Sequence, residues 1–198
     1  MKKLISFIAT CAHLQGCAVV AVTGIAAAGY AAYDRHNLDT RAQDQQIIFK
    51  GYENIKHNAE MIAMNAHLYE NSHIVITSFH ANVLVVGQVP TAGYKEMIAT
   101  ILKHTEGVEV LYNQLTIEKP TEKSVQTKDA FITVSAKTAL IGNEDVQSAD
   151  IKVLTEDGIV YLMGYVSQEQ AADATDVVRR VDGVKKIVTF FEYAANKP

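Results

Sequence analysis

The sequence predicts an α+β protein in which two similar domains follow each other, each with the element order α-β-β-α-β. An internal repeat supports this: HIVITSFHANVLVVGQVP, from His73 to Pro90, has the same length and pattern as DIKVLTEDGIVYLMGYVS, from Asp150 to Ser167. Around both segments the spacing of apolar residues changes from helical to alternating and back to helical in the same order. A repeat of this size indicates two tandem domains rather than the short units of a solenoid.

The first copy opens with a predicted helix, because apolar residues recur at steps of three and four. They are Ile48, Tyr52, Ile55, Ala59, Ile62, Ala66 and Tyr69. Two alternating strands follow, at 74–78 and 82–89, joined by a tight polar turn around His80. A second helix is expected from Thr91 to Gly107, where glycine suits the position just after a helix end. The last strand is predicted at 110–117.

The second copy has a predicted helix at 127–141 and predicted strands at 151–155 and 158–166. The Glu156-Asp157-Gly158 sequence between these strands is typical of a hairpin turn. Ser167 and Gln170 have the spacing of a capping box, which predicts a helix start, and Gly183 is expected to end that helix. Its predicted apolar face consists of Ala171, Ala174, Val178 and Val181. The last strand is predicted at 186–193.

The N-terminus has the features of a secretory signal. Lys2 and Lys3 precede an apolar stretch that is too short to span a bilayer. Leu14-Gln15-Gly16-Cys17 follows it and resembles the bacterial lipobox. That resemblance implies cleavage before Cys17 and acylation of this residue, and each buried methylene stabilises membrane attachment by about 0.8 kcal/mol. The alternatives are an ordinary signal with a cysteine near its end, or an uncleaved anchor through residue 32.

The sequence after Cys17 favours the outer membrane. Lipoproteins that this N-terminus resembles tend to stay in the inner membrane when an Asp follows the cysteine, and here the residue is Ala18. Residues 18–32 are rich in Ala, Gly and Val, which predicts a tether near the lipid surface or a segment that docks into a partner. The predicted boundaries are therefore a signal peptide at 1–16 and a lipidated tether at 17–45, on a periplasm-facing protein.

Composition excludes several functions. The chain has 18 basic and 22 acidic residues, and the acidic excess grows when Lys2 and Lys3 leave with the signal. Nucleic-acid binding relies on a basic surface, so a nucleic-acid partner is not expected. Of the two cysteines, Cys11 leaves with the signal and Cys17 carries lipid. No thiol then remains for a disulfide, a metal site or a nucleophile.

The repeated order, with Gly87 and Gly164 near the end of the second strand and Gly-Val before the third, resembles the BON domain. Two such domains behind a lipobox resemble the dual BON-domain outer-membrane lipoproteins of the DolP (YraP) group, and also OsmY-like BON repeats. The resemblance implies helices packed on a small three-stranded sheet in each domain. It assigns BON domain 1 to 46–117, a linker to 118–126, BON domain 2 to 127–193 and a tail to 194–198.

No catalytic constellation is visible, so an enzyme is not expected. The chain lacks a nucleotide-binding loop with Lys, a Gly-x-Ser-x-Gly elbow and a zinc-type His pair. Outside the signal the histidines are scattered, so a metal site is not expected and solvent-facing positions are; they are His36, His57, His67, His73, His80 and His104. Glu144-Asp145 and Glu156-Asp157 are assigned to turns. Gly87 and Gly164 are explained by close approach of two backbones within a sheet. No cofactor is expected.

The helix at 127–141 has an unusual second apolar side. Ile132, Ala136, Ala139 and Leu140 form its predicted core stripe. At 3.6 residues per turn, Phe131, Val134 and Ile141 project from another side, with Lys128 and Lys137 nearby. An apolar side edged by lysines suits insertion among the headgroups of an anionic bilayer. The alternative is that Phe131 and Val134 pack against the first domain or the N-terminal arm.

The family resemblance supports the membrane interpretation. In similar dual BON-domain lipoproteins this helix binds phospholipid and carries a Trp where this chain has Phe131, and it is more positively charged. The expected partners are thus anionic phospholipids such as phosphatidylglycerol and cardiolipin, with a function in envelope integrity and in division-site or peptidoglycan-remodelling processes. The other hypothesis is a periplasmic scaffold whose Phe131 surface binds an envelope protein. Arg179, Arg180, Lys185 and Lys186 form a second basic cluster, which the dipole at a helix end explains.

Overall fold

The computed structural model describes residues 33–58 and 66–193, and its side chains at 39–58 and 68–193. The signal, Cys17 and the tail 194–198 lie outside these residues. In the first domain the elements are α1 (Tyr33–His57), α2 (Ala66–Glu70), β1 (His73–Phe79), β2 (Asn82–Val89), α3 (Ala92–Lys103) and β3 (Val110–Ile117). In the second they are α4 (Lys123–Ile141), a 3-10 turn (Ser148–Asp150), β4 (Ile151–Glu156), β5 (Ile159–Val166), α5 (Gln168–Arg179) and β6 (Lys186–Tyr193).

Each repeat forms its own three-stranded sheet, in the orders β1-β2-β3 and β4-β5-β6. The first pair of strands in each sheet is antiparallel and the second pair is parallel. A parallel pair needs a crossover connection, and α3 and α5 provide it. The registers match, because Ile74 pairs with Gly87 in one sheet and Ile151 with Gly164 in the other. The predicted α+β architecture, two tandem three-stranded sheets packed with helices, is confirmed.

Each domain has a core between its helices and its sheet. In the first domain Val83, Val85 and Val89 of β2 face Ile98 and Leu102 of α3 and are almost inaccessible to solvent. In the second domain Val160, Leu162 and Val166 of β5 occupy the corresponding places. Burial of each such side chain contributes about 2 kcal/mol to stability. These two cores follow from the alternating pattern of the strands.

A third core joins the two sheets face to face. Leu84 and Val86 of β2 and Tyr161 and Met163 of β5 are buried against each other. These residues alternate with those that face the helices, so both central strands are buried on both sides. The described chain is thus layered helix, sheet, sheet, helix.

Side-chain contacts at the edges of the sheet–sheet interface fix how the two sheets face each other. The rings of Tyr112 and Phe190 stack with centroids 4.3 Å apart. Lys152 Nζ donates to the carbonyl oxygen of Ser78 at 2.8 Å, and Asn82 donates to Glu192. Hydrogen bonds need defined distances and directions, so these contacts select one relative orientation of the two domains.

The first helix differs from the prediction. Residues 33–45, assigned to the tether, form the first turns of α1, which ends at His57 rather than continuing to Tyr69. The buried stripe is Ile47, Gly51 and Ile55, and Ile48 and Tyr52 are only partly buried. Ile48 and Tyr52 still pack against the core of the first domain, so the predicted stripe lies on the correct side of the helix but leaves out Ile47. Ala59, Ile62 and the side chain of Ala66 lie outside the described residues.

Gly87 and Gly164 have the role predicted for them, whereas Gly107 and Gly183 do not. A Cβ atom on Gly164 would lie 2.5 Å from the carbonyl oxygen of Asp150, and one on Gly87 would clash with the carbonyl of His73, so the close backbone approach is confirmed. Gly107 and Gly183 were expected just after helix ends. Instead α3 ends at Lys103 and α5 at Arg179, and both glycines have positive φ in the following loops. The helices end early because their last backbone hydrogen bonds tighten into turns.

Candidate membrane-contact surface

Helix α4 begins at Lys123, directly after the extended Pro120 segment, so residues 123–126 of the predicted linker are helical. It ends at Ile141 with Gly142 as its C-cap. Its buried residues are Asp129, Ile132, Ala136 and Leu140. The predicted core stripe is confirmed at Ile132, Ala136 and Leu140, whereas Ala139 is only partly buried.

The other side of α4 is apolar and exposed. The exposed fractions are 69% for Phe131, 62% for Val134 and 72% for Ile141. At about 100° per residue these side chains lie within one narrow stripe, with the exposed Lys128 beyond one edge and the exposed Lys137 beyond the other. We call these five residues the α4 stripe. Such large apolar side chains grouped on one side of a helix are typical of an interaction surface.

The alternative in which Phe131 and Val134 pack against the first domain is wrong for the described residues, because both side chains remain mostly exposed there. The N-terminal arm, the other part of that alternative, lies outside them. The structure thus brings together the candidate residues of this helix on one accessible side.

A buried aspartate fixes how α4 sits on its sheet. The two oxygens of Asp129 accept hydrogen bonds from the backbone N–H groups of Asp157 and Gly158, both at 2.8 Å. Asp129 is 4% exposed, so these bonds satisfy its carboxylate away from water. The helix is therefore held at the β4–β5 turn, which orients the α4 stripe outward. An apolar pattern does not predict a role for Asp129. A signal was present in the repeat, because Asp129 lies three residues before Ile132 as Asp44 lies three residues before Ile47.

The described residues contain no group of His, Cys, Asp and Glu side chains arranged to hold a metal ion. A search of the same residues for membrane spans finds no helix that combines the necessary length with the necessary hydropathy.

The family comparison matches the BON domain at residues 59–119 and again at 128–195. The chain belongs to the BON domain family. It is 31% identical over 193 residues to the outer membrane lipoprotein DolP of Haemophilus influenzae, covering 98% of this chain and 96% of that protein. It is 32% identical to the 21 kDa hemolysin of Actinobacillus pleuropneumoniae over 67% of this chain and 68% of that one. Identity to osmotically-inducible protein Y of Escherichia coli is 33%, over 53% of this chain and 54% of that protein.

These likenesses confirm the predicted family and the lipid-anchored outer-membrane location. The matched ranges also show that the family model leaves out all of α1, since α1 ends at His57 and the first match begins at residue 59. Yet Ile47 and Ile55 of α1 belong to the core of the first BON domain. In this protein that domain therefore begins before the matched range.

In the first BON domain, the side of α1 that corresponds to the α4 stripe has fewer exposed apolar residues. Aligning Asp44 with Asp129 places Phe49 at the position of Val134, and Phe49 is 67% exposed. Gln46 occupies the place of Phe131 and Gln43 the place of Lys128. Lys56 occupies the place of Ile141, so this side of α1 keeps one exposed apolar side chain where α4 has three. The second BON domain therefore carries the candidate surface.

The predicted second basic cluster is partly neutralised within its own domain. Arg179 forms an ion pair with Asp176 at 3.0 Å, and Lys185 forms one with Asp157 at 2.8 Å. The hydrogen bond to Asp157 raises the pKa of Lys185. These pairings favour a structural role for the cluster, in line with the sequence interpretation.

Two side chains differ from their expected places. Glu156 was assigned to a turn and His73 to solvent, but Glu156 is the buried last residue of β4 and His73 is partly buried beside it. The carboxylate lies 3.3 Å from His73 Nε2 and accepts a 2.8 Å hydrogen bond from Gln88. Hydrogen bonding to Glu156 raises the pKa of His73. The sheet–sheet interface explains the difference, because it covers this end of β4.

Proposed function

We propose that this BON protein is held in the outer membrane through acylated Cys17 and that its second BON domain binds anionic phospholipid, phosphatidylglycerol or cardiolipin, through the α4 stripe. The exposure of Phe131, Val134 and Ile141 on one side of a single helix, between two lysines, carries this proposal. The lipobox at residues 14–17 and the likeness to an outer membrane lipoprotein support the anchor.

The energetics favour the apolar residues as the main contributors. Burying an aromatic side chain contributes about 2 kcal/mol, whereas a lysine near anionic headgroups contributes about 1 kcal/mol. The aromatic side chain inserts between headgroups, and the two lysines face the lipid phosphates on either side of it. No described catalytic group takes part, so the proposed function is binding without chemistry.

We further propose that this binding serves envelope integrity, including division-site or peptidoglycan-remodelling processes. A lipid-anchored protein is confined to its own membrane by the acyl chains. A second, weaker contact with lipid then makes the total membrane affinity depend on the local lipid composition. The two contacts reinforce each other because the anchor raises the effective concentration of lipid at the second site. The protein would therefore be enriched where anionic phospholipid is enriched.

Vesicle co-sedimentation of the protein without residues 1–17 tests the lipid proposal. We expect this form to bind phosphatidylglycerol-containing vesicles and Phe131→Glu to abolish the binding. Phe49→Glu is the matched control, because it makes the same change at a similarly exposed residue on the first BON domain. Circular dichroism checks that both variants fold.

Equal binding by the protein and by Phe131→Glu would reject the α4 stripe. If the form that lacks residues 1–17 and carries no substitution does not bind vesicles, the periplasmic scaffold is the better explanation. In that hypothesis the same stripe contacts an envelope protein.

A further inference from the structure

A cleft of about 260 Å³ lies between the two BON domains. Helix α1 and the turn after β1 line it from the first domain, and α4 and β4 line it from the second. Among the residues that line it are Arg41, Asp44, Phe79, His80, Lys137 and Lys152. Neither domain alone contains the complete cleft.

Three basic side chains converge on this cleft from three elements. Arg41 comes from α1, Lys137 from α4 and Lys152 from β4. Lys152 is partly buried, and its pKa is lowered by burial and by the positive charges of Lys137 and Arg41, although Asp44 opposes this. Among the described residues none of the three cations forms an ion pair with a carboxylate.

The nearby carboxylates do not neutralise these cations directly. Both oxygens of Asp44 are occupied, by the hydroxyl of Ser78 at 2.5 Å and by the backbone N–H groups of His80 and Ala81 at 3.0 and 3.1 Å. Burial raises the pKa of Asp150, while the charges of His80 and Arg41 lower it. The cleft thus has three basic side chains and two nearby carboxylates, which leaves one positive charge in excess. A bound anion would neutralise that excess charge.

The cleft also offers hydrogen-bond donors with defined positions. Lys152 Nζ is held by its 2.8 Å bond to the carbonyl of Ser78, and an ammonium group has three donors. The ring of His80 is stacked on Phe79 with centroids 4.2 Å apart, which orients its nitrogens. Arginine adds a planar donor group that matches the oxygens of a phosphate.

We propose that this interdomain cleft binds a phosphate group through Arg41, Lys137 and Lys152. Two sources share that chemistry: the phosphodiester of an anionic phospholipid headgroup, and free inorganic phosphate. Lys137 belongs to both the cleft and the α4 stripe, three residues after Val134 and four before Ile141. A lipid headgroup in the cleft would thus lie beside the apolar side chains that are proposed to insert between headgroups. The lipid source rests on the proposed function, whereas phosphate binding does not.

The test uses the full-length mature protein in nanodiscs of phosphatidylcholine, followed by NMR of the arginine and lysine side chains. Inorganic phosphate is titrated against chloride at equal ionic strength. We expect phosphate to shift the signals of Arg41 and Lys152, and Arg41→Gln to weaken its binding about tenfold, as expected for the loss of one charge-assisted contact. Lys123→Gln is the control, because it removes an exposed cation of α4 outside the cleft. Lys152→Met is the second cleft variant.

A second arm adds phosphatidylglycerol to the nanodiscs without free phosphate. If it shifts the same cleft signals in the unmodified protein but not in Arg41→Gln, a lipid headgroup is the ligand. If only inorganic phosphate shifts them, free phosphate is the ligand. If phosphate affinity is unchanged in both Arg41→Gln and Lys152→Met, the proposal is overturned. Phe131→Glu separates it from the lipid proposal, since this variant should lose vesicle contact and keep inorganic phosphate binding.

Discussion

Asp44 and Asp129 occupy the same place in the two BON domains. Asp44 accepts backbone hydrogen bonds from His80 and Ala81, and Asp129 accepts them from Asp157 and Gly158. Both carboxylates are buried, and both close a hairpin turn that contains positive φ angles. A buried carboxylate that accepts two backbone N–H bonds ties the first helix of each domain to its own sheet.

We predict that Asp129→Ala lowers the free energy of unfolding by about 3 kcal/mol, because the buried N–H of Gly158 and the part-buried N–H of Asp157 lose their acceptor. Asp129→Asn should cost less, since its amide oxygen can still accept one bond. Urea unfolding followed by circular dichroism measures both. Equal stability of Asp129→Ala and the unmodified protein would contradict the role given to this residue.

Gly164→Val should destabilise the second BON domain by about 3 kcal/mol without acting on a binding site. Its Cβ atom would lie 2.5 Å from a backbone oxygen, and neighbouring strands cannot separate without breaking hydrogen bonds. Gly93→Ala is the control, because no heavy atom lies within 4 Å of the added Cβ. Thermal unfolding measures the effect. A variant that keeps its melting temperature and loses lipid binding would show that Gly164 is a binding residue.

The two lysines of the α4 stripe should contribute to vesicle binding through charge. We expect Lys128→Ala and Lys137→Ala each to weaken binding of the form without residues 1–17 by about fivefold, from roughly 1 kcal/mol per lysine. Added salt should reduce the difference, since the Debye length falls to about 3 Å at 1 M. Co-sedimentation at two salt concentrations measures this. A salt-independent loss would point to packing of the lysine stems.

The His73–Glu156 contact predicts a pH-dependent stability. The pKa of His73 is raised by its hydrogen bond to Glu156. Its contribution is therefore fully present below the unfolded pKa of about 6.5 and is lost as pH rises through the folded value. Urea unfolding from pH 5.5 to 8.5 should show this decline, and His73→Gln should remove it. An unchanged pH profile in the variant would exclude His73 as its source.

Cys17 should be acylated in the mature protein, because the Leu14–Cys17 sequence resembles a lipobox and follows an apolar stretch. Mass spectrometry of the mature N-terminus should find an acylated Cys17 without residues 1–16. Detection of Met1 or of an unmodified Cys17 would refute this.

The sequence predicts the element order and the outward side of α4 because both depend on local periodicity. Residues of one helix have fixed angular positions, so Phe131 and Ile132 could be assigned to different sides before any tertiary contact was known. The part of the buried side of α1 that the pattern does not predict has a local cause as well. Asp44 and Gly51 lie on that side, and an apolar pattern does not recognise these residue types.

The interface between the domains could not be predicted from periodicity, because it depends on contacts between residues far apart in the chain. One signal was present. The run Val83 to Val86 is continuously apolar, which is typical of a strand buried on both faces. The buried Glu156 gave no such signal, since its partners His73 and Gln88 come from the other domain.

The shared face of the two sheets has a mechanical consequence. Separating the domains would expose Leu84, Val86, Tyr161 and Met163 to water together, so hinge motion between them is opposed by the burial of all four side chains. NMR relaxation should then give one rotational correlation time for both BON domains. If α4 binds a bilayer as proposed, the same rigidity also sets the orientation of the first BON domain relative to the membrane. A periplasmic partner of that domain would then bind it in an orientation that the membrane determines.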